Sequence, residues 1–321
     1  MTAVVSPVRP AGPLGPVKAP GSPAGRPLDV LWEAAPDLPS TRDRSTGRGG
    51  VLPADLAARY GPRLDIPLHP DRPTMITNFV STIDGAVALD RVGASGGREI
   101  SGSSEPDRFV MGLLRATADA VLVGAGTVRS SRTHAWTAAQ VHPGSAAAFA
   151  VWRARLGLAA AVPTTVMVSA SGDLEPGHLG HAGADFPLII VTTSRGARRL
   201  ASRLRCQDGI DIAVVAEDGP VPADALGRLL RDRGFRLVLC EGGPTLFGEL
   251  VAAGAVDELF LTFAPQLVGR TTNTERLGLV EGSAFGPSSA PWGRLIGVRR
   301  ADDHLFLRYR FDHDHRSGGM S

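Results

Sequence analysis

The chain has 321 residues, a formal net charge of +2, and 43% hydrophobic against 21% charged residues. That balance fits an ordinary folded protein of one large domain or two small ones. It argues against nucleic acid as the main partner, because the cations are scattered and no basic cluster is interleaved with aromatics. No apolar run approaches the ~20 residues that span a bilayer. The start of the chain lacks the continuous apolar region of a secretory signal, so a cytoplasmic location is expected. Cys206 and Cys240 stand apart, with no CxxC. They read as buried thiols of a reducing compartment, not as a zinc or redox site.

Nine of the first forty residues are proline, and residues 1–48 are expected to be a disordered tail. Such a segment buries too little apolar surface to offset its ordering entropy. Residues 49–73 read as a lead-in with a short helix over 53–60. The folded unit is expected over 74–312, with 313–321 frayed; His313 and His315 there could bind a metal weakly.

Within that unit, 74–80 is a predicted strand closed by Asp84-Gly85. Residues 104–116 read as an amphipathic helix with Phe109, Val110, Leu113 and Leu114 on one face. Ser104 with Asp107 three residues on resembles a capping box, with Asp in place of Glu. A short apolar run, 120–123, enters Gly124-Ala125-Gly126. Further buried strands are predicted at 164–168, 188–192, 212–215 and 237–240, with helices at 223–233 and 244–253. Short apolar strands separated by helices imply parallel pairing through right-handed crossovers. Residues 258–264 are strand-like, and 295–300 with 304–311 form a predicted antiparallel hairpin across Ala301-Asp302-Asp303. The fold class is α/β, with a mixed, mainly parallel sheet and an antiparallel edge.

Three loops carry possible chemistry. In Glu241-Gly242-Gly243-Pro244-Thr245 a buried strand ends and a helix begins. Glycines there admit a close ligand, and the helix start favours a phosphate; a plain tight turn would use the same residues. Gly124-Ala125-Gly126-Thr127 repeats the strand-to-glycine pattern, and two such turns on parallel strands suit a nucleotide better than one. Asp84 could place a carboxylate at the cleft edge or simply make a turn. Glu241 stands at a strand end facing the same cleft, or serves the helix dipole. No P-loop, HExxH, GxSxG or zinc-deaminase signature is present, and no metal site is expected. His134, His142, His178 and His181 read as surface or packing residues.

Taken in order, Ser81-Thr82-Ile83-Asp84-Gly85, Leu113-Leu114-Arg115, the segment from Asp119 to Val128 and Glu241-Gly-Gly-Pro-Thr-Leu246 form a set. The chain resembles, over roughly 74–311, the reductase domain of the bifunctional riboflavin-biosynthesis deaminase–reductase. The resemblance implies a dihydrofolate-reductase-like three-layer fold, NADPH as cofactor and a homodimer. It implies that Val80, Ser81, Gly124, Gly126, Thr127, Ser169, Gly242, Gly243, Pro244, Thr245, Leu246 and Phe247 contact NADPH, with Ser171 a weaker candidate. Arg115 and Glu241 would face a small-molecule substrate, Arg115 suiting a phosphate, and Asp84 and Glu241 would be the catalytic pair. Arg195, Arg198 and Arg199 are candidates for reading the cofactor 2′-phosphate. The implied reaction opens the sugar of 5-amino-6-(5-phosphoribosylamino)uracil to an imine and delivers hydride to C1′, giving the ribitylamino product.

The sequence also departs from the family. An Asp-Asp-Pro region commonly follows Gly-Thr-Val; here Arg129-Ser130-Ser131-Arg132 stands there, and an insert runs to Trp152. A same-fold reductase of a pterin or other small substrate, and a nucleotide-binding module without catalysis, are the alternatives.

Overall fold

The computed structural model describes residues 25, 27–34, 47–89, 97–130, 135–179, 186–204, 209–271 and 276–312. The expectations for 313–321, Cys206, His134, His181 and most of the first 46 residues lie outside the described residues.

A ten-stranded sheet organises the chain. From one edge to the other its strands are Asp29–Glu33, Gly293–Ala301, His304–Phe311, Glu258–Ala264, Thr74–Thr82, Leu237–Cys240, Ala120–Gly124, Thr164–Val168, Leu188–Thr193 and Ile210–Ala216. The run from Glu258–Ala264 to Ile210–Ala216 is parallel throughout. The other three strands pair antiparallel. This is the mixed sheet expected from the pattern.

Both faces of the parallel centre are covered. Val121, Val123, Leu237, Leu239, Leu188 and Ile190 point into one core, against Phe109, Leu113 and Leu114 of the helix Glu105–Thr117. Their chain neighbours Leu122, Val238, Cys240, Ile189 and Val191 point into the other. That second core is closed by Leu226 and Leu230 of the helix Ala223–Asp232 and by Phe247 and Leu250 of the helix Pro244–Ala252. Strand side chains alternate faces, so uninterrupted apolar runs give a three-layer molecule.

Local signals explain where elements begin. Ser104 caps the helix Glu105–Thr117, its hydroxyl accepting from Asp107 N at 3.3 Å, with Pro106 in the first turn. At the far end of that helix the Asp119 carboxylate accepts from the backbone N–H groups of Arg236 and Leu237, both at 2.8 Å. One acid thereby aligns the starts of two central strands.

The structure departs from the expected tail at Asp29–Glu33. This five-residue stretch, free of proline, takes the open backbone of Gly293–Ala301 as its partner. Arg300 pairs with Asp29 at 3.1 Å, and buried Arg299 pairs with Glu33 at 3.0 Å. The lead-in is also ordered: Gly47–Val51 pairs with Arg63–Pro67 around the expected short helix, found at Ala54–Tyr60. The insert folds into the helices Ala138–Val141 and Ala146–Arg155, which pack on Glu105–Thr117. Trp152 Nε1 donates to Thr117 Oγ1 at 3.0 Å. The helix Ser194–Arg203 was not legible, because its arginine-rich face hides a single buried stripe around Leu200.

Glu258 joins the parallel centre to the antiparallel edge. It is 1% exposed and receives Nε–H bonds from Arg308 at 2.8 Å and Arg310 at 3.0 Å. Glu258→Ala would leave Arg308 buried without its carboxylate. Its expected cost is about 3–5 kcal/mol, read as a lower urea midpoint at unchanged slope.

Candidate functional site

A cleft of about 1010 Å³ opens at the carboxyl ends of the central parallel strands, at the upper end of the ~300–1,000 Å³ usual for small-molecule sites. Its position follows the rule for open α/β sheets, where ligands sit beyond strand carboxyl ends. One side is formed by Gly124, Gly126, Thr127, Val168, Ala170 and Pro220; the other by Asn78, Val80, Arg98, Ser101, Asp107 and Arg108. Between them stand Glu241 and the helix start Gly243–Leu246.

The two glycine loops touch. Gly243 N–H donates to Thr127 Oγ1 at 2.8 Å. A Cβ on Gly242 would lie 2.4 Å from Gly124 N and 2.6 Å from Val123 Cα. Only a glycine lets the loops approach so closely, and Gly242 does not itself line the cleft. Pro244 opens its helix without a side-chain cap. The first-turn N–H groups of Thr245 and Leu246 thus lack a capping oxygen where the helix dipole favours an anion.

Arg115 and Glu241 meet in a bidentate pair: Nε to Oε1 at 3.0 Å and Nη2 to Oε2 at 2.6 Å. Arg115 Nη1 also donates to Thr137 O of the insert at 3.2 Å. Both side chains are almost out of water, at 7% and 6% exposure. The two residues expected to face a substrate are therefore bound first to each other. Trp136, Gln140 and Val141 bring the insert to the cleft wall.

Among the sequence-derived cofactor residues, Val80, Gly124, Gly126, Thr127, Gly243, Pro244, Thr245 and Leu246 line the cleft. Phe247 does not: it packs on Phe79 with ring centroids 4.9 Å apart. The Ser81 hydroxyl donates to Thr82 O at 2.9 Å. Ser171 Oγ accepts from Asp173 N, on the surface. Ser169 is buried beside Ala170, and its hydroxyl has no hydrogen-bond partner among the described residues. Arg195, Arg198 and Arg199 lie away from the lining, on the helix Ser194–Arg203.

Asp84 is a correction: it does not line the cleft. Its carboxylate accepts from Thr82 Oγ1 at 2.6 Å and from Gly269 N at 2.7 Å. The Thr82 hydroxyl, ahead of the backbone N–H groups of Gly269 and Val268, holds the carboxyl below its usual range. Asp84 thus pins the loop after Glu258–Ala264, which is the ordinary work of an Asp-Gly turn.

Sequence reasoning missed Asp107, Arg98 and Arg108 as cleft residues. Asp107 was legible only as a cap partner, yet Asp107, Met111 and Arg115 follow at i, i+4, i+8 and share one helix face, and all three line the cleft. Burial pushes the Asp107 carboxyl above its usual range against the pull of the Thr262 hydroxyl, His304 and Arg108. Burial raises the Cys240 thiol to about 12, so it is a packing residue. His142 is likewise structural, buried against Glu105 and Arg59. No cluster suited to a metal occurs among the described residues. No helix among them is long and apolar enough to cross a membrane.

The RibD C-terminal domain family model matches residues 73–284. The chain belongs to that family. It is the reductase family that the ordered set of loops resembles, and its fold is dihydrofolate-reductase-like. A pyrimidine reductase-like protein from Corynebacterium diphtheriae has a similar fold, with a TM-score of 0.57 at 21% identity, over 75% of this chain and 93% of that one. The 2,5-diamino-6-ribosylamino-4(3H)-pyrimidinone 5′-phosphate reductase of Methanothermobacter thermautotrophicus is 29% identical over 202 residues, 62% of this chain and 80% of that one. The riboflavin biosynthesis protein PYRR of Zea mays is 29% identical over 198 residues, 61% of this chain, but the match spans only 27% of the maize protein.

Gly242→Ala is expected to cost about 1–3 kcal/mol, because backbone must shift. It should also weaken nucleotide binding by separating the two loops. Gly126→Ala, whose Cβ meets nothing within 4 Å, should melt like the parent. Thermal melts with and without nucleotide check both.

Proposed function

We propose that this protein is an NADPH-dependent reductase of riboflavin-biosynthesis type, reducing 5-amino-6-(5-phosphoribosylamino)uracil to its ribitylamino product as a homodimer. The observation that carries this reading is the Gly243–Thr127 contact. It sets two glycine loops and an uncapped helix start on one side of the cleft and the Arg115–Glu241 pair beside them.

The residues present fit a dinucleotide. The first-turn N–H groups of Thr245 and Leu246 suit its pyrophosphate, Gly126 leaves open space beside them, and the Ser169 hydroxyl, without a partner among the described residues, offers a hydrogen bond nearby. When bound, the nicotinamide supplies hydride, while the protein supplies position and field. Glu241 and Arg115 orient the pyrimidine and exclude water from its edge. Arg115 is committed to Glu241, so the substrate phosphate falls to Arg98 and Arg108. Both line the cleft and form no ion pair among the described residues.

The archaeal relative's name contains the 2,5-diamino-pyrimidinone, so that compound is the second substrate to test. NADPH should raise the melting temperature, and the purified protein should oxidise NADPH with one of the two pyrimidines. Glu241→Gln loosens the pair with Arg115 and should lower kcat/KM about 100-fold through misplacement of the substrate. Consumption of NADPH with a pterin but neither pyrimidine would move the assignment to a pterin reductase. Binding of NADPH without turnover on either class would leave a nucleotide-binding module.

A further inference from the structure

Reduction of an imine takes up one proton with each hydride, and the cleft must provide it. Glu241 is poorly placed to do so. Both its oxygens accept N–H bonds from Arg115. Asp107 differs in each respect. It is 4% exposed, lines the cleft two helical turns before Arg115, and forms no ion pair among the described residues. The Thr262 hydroxyl, on the strand Glu258–Ala264, is among the groups that act on its carboxyl. Thr262 pairs in register with Val80 on the adjacent strand, and Val80 also lines the cleft. The carboxyl therefore stands at the wall between the sheet and the substrate side.

We propose that Asp107, and not Glu241, donates the proton that the substrate nitrogen takes up during reduction. The proposal rests on the reductase reading above. In the open-chain substrate, C1′ is doubly bonded to the exocyclic nitrogen. C1′ accepts hydride from the nicotinamide, which is oxidised as C1′ is reduced. The C=N π pair moves onto nitrogen, and nitrogen takes the Asp107 proton. Asp107 is left as a carboxylate and recovers its proton from solvent, which accounts for the one proton consumed per NADPH.

An ionised carboxylate in the first turn would suit the helix dipole, and a purely structural Asp107 would be read that way. Burial works against that state and raises the carboxyl, favouring the proton-carrying form a general acid needs. The charged and titratable groups facing it are Arg108 from its own helix, His304 from the antiparallel hairpin and Glu241 from the cofactor loop.

The test compares pH profiles of kcat for wild type, Asp107→Asn and His304→Gln, with dinucleotide affinity measured by fluorescence titration. A general acid loses activity as pH rises through its pKa, so wild type should show an alkaline fall. Asp107→Asn should lower kcat about 10²–10³-fold, abolish that fall and leave dinucleotide affinity unchanged. A difference infrared spectrum between wild type and Asp107→Asn at neutral pH should show a protonated carboxyl. The proposal is overturned by a normal kcat in Asp107→Asn, by an alkaline fall that disappears with His304→Gln instead, or by an ionised Asp107. Should Asp107→Asn fail to fold, Asp107→Glu decides: a displaced alkaline fall supports the assignment, and an undisplaced one overturns it. A wild type that reduces neither pyrimidine defeats the functional reading first and this proposal with it. Turnover by wild type together with normal turnover by Asp107→Asn defeats this proposal alone.

Discussion

Arg115 and Glu241 come from opposite sides of a strand ending. Arg115 is carried by the long helix on one face of the sheet, and Glu241 by the loop leading to the helix on the other. Their bidentate contact is nearly dry, and a buried pair broken on one side costs about 3–5 kcal/mol. The pair therefore fixes the distance between the two helical layers at the point where the cleft opens. The insert depends on it as well, since Thr137 O accepts the remaining Arg115 donor. On the other side, Gly242 wedges against Gly124 and Val123, so the glycine loops inherit their position from the same junction.

The hydrophobic periodicity shows most of the sheet. Runs such as Ala120–Gly124 and Leu237–Cys240 are apolar on both faces, which only a strand covered by helices on both sides tolerates. Asp29–Glu33 was hidden for a different reason. Its neighbours in sequence carry prolines, and its order comes from a sheet edge supplied by residues near the other end of the chain. No local pattern encodes such a partner.

The site was legible to the extent that its chemistry lies in the backbone. Glycines ahead of helix starts mark where N–H groups are open, and Gly126, Gly243 and Thr245 line the cleft. Side-chain roles were less readable. Asp84 and Asp107 are both short acids beside turns or caps, and sequence made Asp84 the more chemical of the two. Tertiary packing reverses that order: backbone N–H groups of a distant loop occupy Asp84, and the helix turns Asp107 toward the cleft. Arg115 and Glu241 were singled out separately, and their mutual contact, across more than a hundred residues of chain, was not.

The strand order also carries a kinetic meaning. Thr74–Thr82 is made early, but its two neighbours are Leu237–Cys240 and Glu258–Ala264, both from late in the chain. A strand buried on both faces cannot hold its place by local contacts, and long-range parallel pairing is slow because loop closure precedes any reward. During synthesis the first central strand, buried in the finished sheet but still unpaired, must wait for nearly the whole domain to emerge. The cleft, which lies where these strands end, is accordingly among the last features to form, and a chain cut short before residue 258 would display one side of Thr74–Thr82 as an unpaired, aggregation-prone edge.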